Sequence, residues 1–227
     1  MFLKASGAVA FLLGTPSWVR AFFLEEEFPV RTVERENFSF DAKTGSVRST
    51  DKKIEGPYQL LVDGLVEKPA RFSYQDLRAL PQISQVSDFH CVEGWSVSDV
   101  KWGGLRFKEI LKKVQLTSGA QYVIFHSLGE TNSRPQGQGH YIESMSLKDL
   151  LDGQKQCLLA LDLDGKPISH DHGAPVRLVA PYSLGYKNIK YVTRIEFAAK
   201  PRPGWWTLAN PIYPVDAPVP QNRLRKR

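Results

Sequence analysis

Apolar positions along this chain recur in short runs separated by turn residues, and the runs carry two different periods. Tyr58, Leu60 and Val62 alternate with their neighbours as a strand does. Ser73, followed three residues on by Asp76 and then by Leu77, Leu80 and Pro81, predicts a short capped helix with a stop. Residues 83–91 predict a strand that delivers Cys91 at its end. Phe107, Ile110, Leu111 and Val114 fall at helical spacing. Residues 122–125 are a continuous apolar run, the mark of a buried strand, and residues 129–140 read as a long polar loop. Ser146 caps a second short helix carrying Leu150 and Leu151. Residues 157–161, 175–180 and 189–197 predict further strands. In the last, Ile189, Tyr191, Ile195 and Phe197 share one face, and Lys190, Arg194 and Glu196 the other. Residues 24–56 are polar and irregular and read as an extended arm over a core. Many short strands with a few short helices predict an α+β fold, mixed and strand-rich, as one domain over residues 24–227.

With 227 residues the chain can bury one sizeable core. Its formal charge of +6 suggests a polyanion partner until its location is considered. Lys4 and Arg20 lie in the N-terminal stretch, and Arg223, Arg225, Lys226 and Arg227 form the tail. Without those six, 24 basic residues face 24 acidic ones, so the body is neutral and nucleic acid is not an expected partner. The tail reads as solvated. The apolar part of residues 1–23 is shorter than the roughly 20 residues that cross a bilayer, and is typical of an export signal. Phe2, Leu3 and Lys4 match the second half of a twin-arginine motif whose arginine pair is absent. The other reading is a buried N-terminal helix. Cys91 and Cys157 could form a disulfide in an exported protein, but two cysteines make no framework.

Three segments carry candidate chemistry. In Asp88-Phe-His-Cys-Val-Glu-Gly-Trp-Ser96, Cys91 is either a small buried hydrophobe or a thiolate suited to a soft, heavy metal. His90, Glu93, Trp95 and Ser96 favour the second reading, and Gly94 would let the backbone approach a bulky ligand. In Ser169-His-Asp-His-Gly-Ala-Pro-Val-Arg177, the two histidines could hold zinc or merely form a turn. Arg177 lies in an apolar run and needs an anion, either a bound one or a carboxylate such as Asp171. In Gly185-Tyr-Lys-Asn-Ile-Lys190, backbone amides and two cations could cradle a phosphate or form a solvated basic turn.

Together and in this order the three segments resemble the sulfite oxidase–type molybdopterin domain, from about residue 38 to residue 206. Within that family the likeness runs to the periplasmic catalytic subunits that repair oxidised methionine. Cys91-Val-Glu-Gly-Trp-Ser96 is similar to their Cys-Val-Glu-Ala-Trp-Ser metal-ligand motif, and Trp102-Gly-Gly-Leu to the segment that follows it. His172-Gly-Ala-Pro-Val-Arg-Leu178 is similar to the Gly-x-Pro-x-Arg signature, and Gly185-Tyr-Lys-Asn-Ile-Lys190 to the loop around the same phosphate. The resemblance implies the sulfite oxidase catalytic-core fold and a molybdenum–molybdopterin cofactor, one pterin per chain. It implies Cys91 as metal ligand and catalytic residue, with Glu93 and Trp95 at the substrate mouth. Cofactor contacts would come from Ser127, His172, Arg177, Asn188, Ile189 and Lys190, and from Asn37 and Ser39 in the arm.

Sulfite oxidases follow their cysteine with Gly-Asn-Arg. Here Glu93, Gly94 and Trp95 stand instead, and a glutamate there suits a neutral substrate over sulfite. The resemblance therefore implies an exported or periplasmic monomer that reduces a sulfoxide such as oxidised methionine. Its electrons would come from a membrane-bound haem or quinone-linked partner. Oxidation of sulfite or another small sulfur compound is the second reading, and a non-catalytic binding module the third.

Overall fold

The computed structural model of the chain describes residues 33–35, 37–50 and 53–224. The expected export segment and tail residues 225–227 lie outside them. Within residues 24–56, expected as arm, the chain from residue 38 on forms a three-stranded antiparallel sheet that ends one residue later: β1 (Phe38–Asp41), β2 (Ser46–Ser49) and β3 (Glu55–Pro57). These strands are too short for an apolar period to emerge; Phe38 and Val47 are buried in the core and Phe40 packs against it.

Next come β4 (Gln59–Gly64), β5 (Ala70–Ser73) and α1 (Tyr74–Ala79). The capping box is present: Ser73 Oγ accepts from the Asp76 amide, and the Asp76 carboxylate accepts from the Ser73 amide. The helix buries Tyr74 and Leu77, and Arg78 reaches Asp162 with both guanidinium nitrogens at 2.6 and 2.9 Å. Then follow β6 (Ile83–His90), β7 (Ser96–Leu105), α2 (Phe107–Leu111), β8 (Tyr122–Ser127), β9 (Ile142–Ser146) and α3 (Leu147–Leu151). Ser146 does precede α3, but its side chain makes no capping bond, and Leu151 is exposed. The chain continues through β10 (Leu158–Leu163), β11 (Lys166–Pro167), β12 (Arg177–Val179), β13 (Val192–Ala198) and α4 (Trp205–Ala209).

One five-stranded sheet runs β5-β4-β13-β8-β9, with β13 parallel to β4 and antiparallel to β8. β8 lies inside that sheet, which is why its apolar run shows no alternation. A second sheet runs β11-β10-β7-β6, with β12 also paired to β10. Val62, Phe125, Ile195 and Phe197 from the first and Leu105, Leu159 and Leu178 from the second belong to one buried apolar cluster. Among the described residues no helix is long and apolar enough to cross a membrane.

The strand expected over residues 189–197 starts late. Tyr191 has a φ of +55°, and the register with β8 shifts between Val192 and Arg194. The irregularity turns Val192 into the core beside Ile195 and Phe197, while residues 185–191 become a loop ending at the sheet edge.

Candidate active site

β6 and β7 are antiparallel, with His90 opposite Ser96, so residues 91–95 are the turn between them. The Cys91 amide donates to the Trp95 carbonyl at 2.9 Å and the Gly94 amide to the Cys91 carbonyl at 3.2 Å. Gly94 has a φ of +97° with open space where a side chain would begin, so the turn's left-handed backbone is the reason for glycine. Cys91 is half-buried rather than packed away. Its Sγ lies 3.9 Å from Oε2 of Glu93, and the same oxygen accepts from Nε1 of Trp95 at 3.3 Å. Cys91 and the two residues expected at the substrate mouth, Glu93 and Trp95, therefore share one half-exposed turn.

Cys157 has the opposite character. It is buried, and desolvation, with Asp149 adding to it, pushes its thiol up to about 12. Both cysteines are thiols, so the disulfide left open by the sequence does not form.

Arg177 begins β12 and is buried to 4% exposure. Its Nη1 donates to the His172 carbonyl at 2.9 Å and its Nη2 to the Asn188 carbonyl at 3.3 Å, while buried Nε has no partner among the described residues. The guanidinium stacks 5.0 Å from the Trp102 ring and 5.9 Å from Phe89. Asp171 makes no ion pair with it. Burial draws the guanidinium down to about 10, only partly offset by Tyr191 and Glu34, so it stays charged at neutral pH. Phe89 and Trp102 belong to the hairpin that carries Cys91, and a side chain on Gly185 would strike Phe89 at 2.5 Å. All three sequence segments thus converge.

The turn before Arg177 is shaped to meet the loop. Gly173 has a φ of +108°, and a Cβ there would press on Lys190 at 2.9 Å and Arg177 at 3.2 Å. The two histidines serve different neighbours: His172 Nδ1 meets Ser169 Oγ at 2.7 Å, whereas the His170 ring packs edge-on to Phe38. In the loop, Asn188 uses its side chain internally, accepting from the Ala180 amide at 2.6 Å, and offers its carbonyl to Arg177. Ile189 is buried and its carbonyl holds the Leu178 amide. Lys190 reaches the Asp171 carbonyl at 3.2 Å. Lys187 departs from expectation: it is buried against Glu143, so the loop presents one cation rather than two.

Ser127 ends β8 next to Tyr191 and Val192, with a buried Oγ that has no partner among the described residues. From the arm Phe38 reaches this region, edge-on to His170 and Tyr191. Ser39 is exposed and bonds the Arg48 carbonyl at 3.5 Å, so it is not brought to the cluster. Asn37 is half-exposed beside Phe38, its carbonyl accepting from Thr50.

A polar chain under the 129–140 loop was not foreseen. Arg202 meets Gln138 at 3.0 Å, Gln138 meets His140 at 3.1 Å, His140 meets His126 at 3.0 Å and His126 meets Glu196 at 2.9 Å. Every link is satisfied with both histidines neutral, each ring donating through Nε2 and accepting through Nδ1. Burial, outweighing the pull of Glu196, draws His126 down to about 4.

The family described as "Oxidoreductase molybdopterin binding domain" matches residues 45–206. The uncharacterized oxidoreductase YuiH of Bacillus subtilis (strain 168) is 33% identical over 149 residues, 66% of this chain and 69% of that protein. The protein-methionine-sulfoxide reductase catalytic subunit MsrP of Ralstonia nicotianae is 29% identical over 218 residues, 91% of this chain and 64% of that protein. Among solved structures, the sulfane dehydrogenase SoxCD from Paracoccus pantotrophus aligns with a TM-score of 0.56 at 18% identity. That alignment covers 88% of this chain and 57% of the SoxCD chain, and it bears on the fold alone.

Proposed function

The chain belongs to the oxidoreductase molybdopterin-binding domain family and is an enzyme of that class, and from this premise we propose that it reduces sulfoxides. The proposed substrate is a sulfoxide such as oxidised methionine, free or in a protein, in the cell envelope after export. MsrP, a methionine-sulfoxide reductase by name, supports the substrate class. The reaction converts the sulfoxide to a sulfide and water with two protons and two electrons, the electrons drawn from a membrane-bound haem or quinone-linked partner. The enzyme acts as a monomer in this reading.

The observation that carries the cofactor assignment is Arg177. It is a buried guanidinium that, among the described residues, has a spare donor and no ion pair, at the point where the three segments meet. A buried cation in that state fits an anionic group such as a pterin phosphate. Ser127 adds a buried hydroxyl with no partner among the described residues, Lys190 adds a second cation, and the Asn188 carbonyl positions the Arg177 guanidinium. When bound through Cys91, molybdenum–molybdopterin supplies two-electron oxygen-atom exchange. The chain's own part is to hold and aim. Cys91 offers a thiolate from a half-exposed turn, Trp95 gives an apolar wall, and Glu93 leaves a carboxylate at the mouth that disfavours an anionic substrate.

The test measures molybdenum and pterin per chain in protein from cells able to make the cofactor, for the wild type and for Cys91→Ser. The wild type is expected to carry both, and the variant to lose molybdenum while Arg177 keeps pterin. Wild-type protein free of metal overturns the reading. Turnover of sulfite without turnover of methionine sulfoxide overturns the substrate.

A further inference from the structure

The chain's end returns to the candidate site. Residues 215–223 run beside the loop of residues 182–188. Val215 accepts from Lys187 Nζ at 2.8 Å, the Ala217 carbonyl accepts from the Leu184 amide at 2.8 Å, and the Val219 amide donates to the Tyr182 carbonyl at 2.8 Å. Ala217 and Val219 are buried, so this is a docked segment. Arg223 at its end, expected to be solvated with the tail, instead lies on the turn that carries Cys91. Its Nη1 donates to the Cys91 carbonyl at 2.8 Å, and its Nη2 to the Trp95 carbonyl at 2.6 Å and to Ser96 Oγ at 3.0 Å. Ser96 Oγ also sits 2.8 Å from His90 Nδ1, which extends the grip to the last residue of β6.

We infer that Arg223 is a positioning residue for Cys91, and that residues 215–223 form a strap joining the thiol-bearing turn to the loop proposed to hold the phosphate. A planar fork suits this task because its two terminal nitrogens reach carbonyls at both ends of the turn, whereas an ammonium must donate from a single nitrogen. The turn's own backbone bonds include a long one, from the Gly94 amide to the Cys91 carbonyl at 3.2 Å, and it must present a sulfur at a fixed distance from a phosphate anchored elsewhere. The role as positioning residue for a metal ligand rests on the cofactor reading above; the grip itself does not.

The test compares full-length wild type with Arg223→Gln and Arg223→Lys by amide hydrogen exchange, and measures molybdenum per chain in the same preparations. In Arg223→Gln, exchange at the Cys91 and Gly94 amides should rise about tenfold, the equivalent of one charge-assisted hydrogen bond. Amides of β10 should not change, Arg223→Lys should fall between, and molybdenum should drop with the turn's protection. Unchanged exchange at residues 91–94 overturns the inference. So does a rise spread over β10 as well, which marks general destabilisation, or a loosened turn with full molybdenum and full kcat. A wild type that binds no molybdenum overturns the cofactor reading instead, because the exchange measurement needs no cofactor.

Discussion

Lys187 and Arg177 are buried cations on neighbouring segments, 2% and 4% exposed, and they are handled in opposite ways. Lys187 has three donors and three partners: Glu143 Oε2 at 2.6 Å, the Ser144 carbonyl at 2.7 Å and the Val215 carbonyl at 2.8 Å. Its charge is cancelled and it has nothing left to offer a ligand. Arg177 has carbonyls for two of its nitrogens, aromatic faces on its flank, and a third nitrogen with no partner among the described residues. A buried charge left so incompletely met is costly to the fold alone. The difference separates a cation that holds the loop from one kept ready for an anion.

The sharpest way to break this contrast is Lys187→Met. It strands Glu143, whose carboxyl burial already pushes up to about 7 against the pull of Lys187, in a space so close to Gly204 that no side chain fits there. Losing one member of a buried pair costs about 3–5 kcal/mol. Urea unfolding should show that loss, and Glu143→Leu added to Lys187→Met should recover most of it. A single variant as stable as the wild type would mean that the pair does not hold the loop.

His126 shows a third treatment, in which a buried group is kept neutral. Its folded value of about 4 lies below its ordinary 6.5, with His140, Glu196 and Arg194 around it. The unfolded chain therefore takes up the proton first. The stability from this group is complete above pH 6.5 and is lost as pH falls towards 4, by an amount on the order of 3 kcal/mol. Unfolding midpoints from pH 7 to 4 should fall less steeply in His126→Gln than in the wild type. Equal slopes would show that the neutral chain is not what the fold relies on.

What the sequence could and could not say follows from how far its signals reach. Local signals held. Ser73 and Asp76 lie three residues apart and make their box, the apolar run at 122–125 is a buried strand, and the turn at Cys91 falls where a strand ends. Arg177 stood out because an arginine among apolar neighbours is visible without any partner. Lys187 was misread because its carboxylate lies 44 residues away in β9, and Arg223 because its acceptors lie 132 and 128 residues away. In sequence both look like solvated basic residues. The β1–β3 sheet was read as arm because strands of three or four residues show no period, and Ser39 was carried to the site although its strand faces it to solvent. Burial signals are local in sequence, whereas the pairing of charges is set by topology.

The smallest expected change in stability is also the most informative, and it concerns Arg177. Arg177→Met exposes the His172 and Asn188 carbonyls to loss of a partner, but it removes a buried charge that is only partly offset by its surroundings. The two effects oppose, so cofactor-free protein should lose no more than about 2 kcal/mol, well short of Lys187→Met. Retention of pterin should fall at least about tenfold, since a charge-assisted bond to a phosphate is among the stronger single contacts available. Fluorescence of the released, oxidised pterin per chain, read beside the unfolding midpoint, separates the two quantities. If Arg177→Met unfolded as readily as Lys187→Met and still carried its pterin, both cations would be structural and the phosphate site would have to be sought elsewhere.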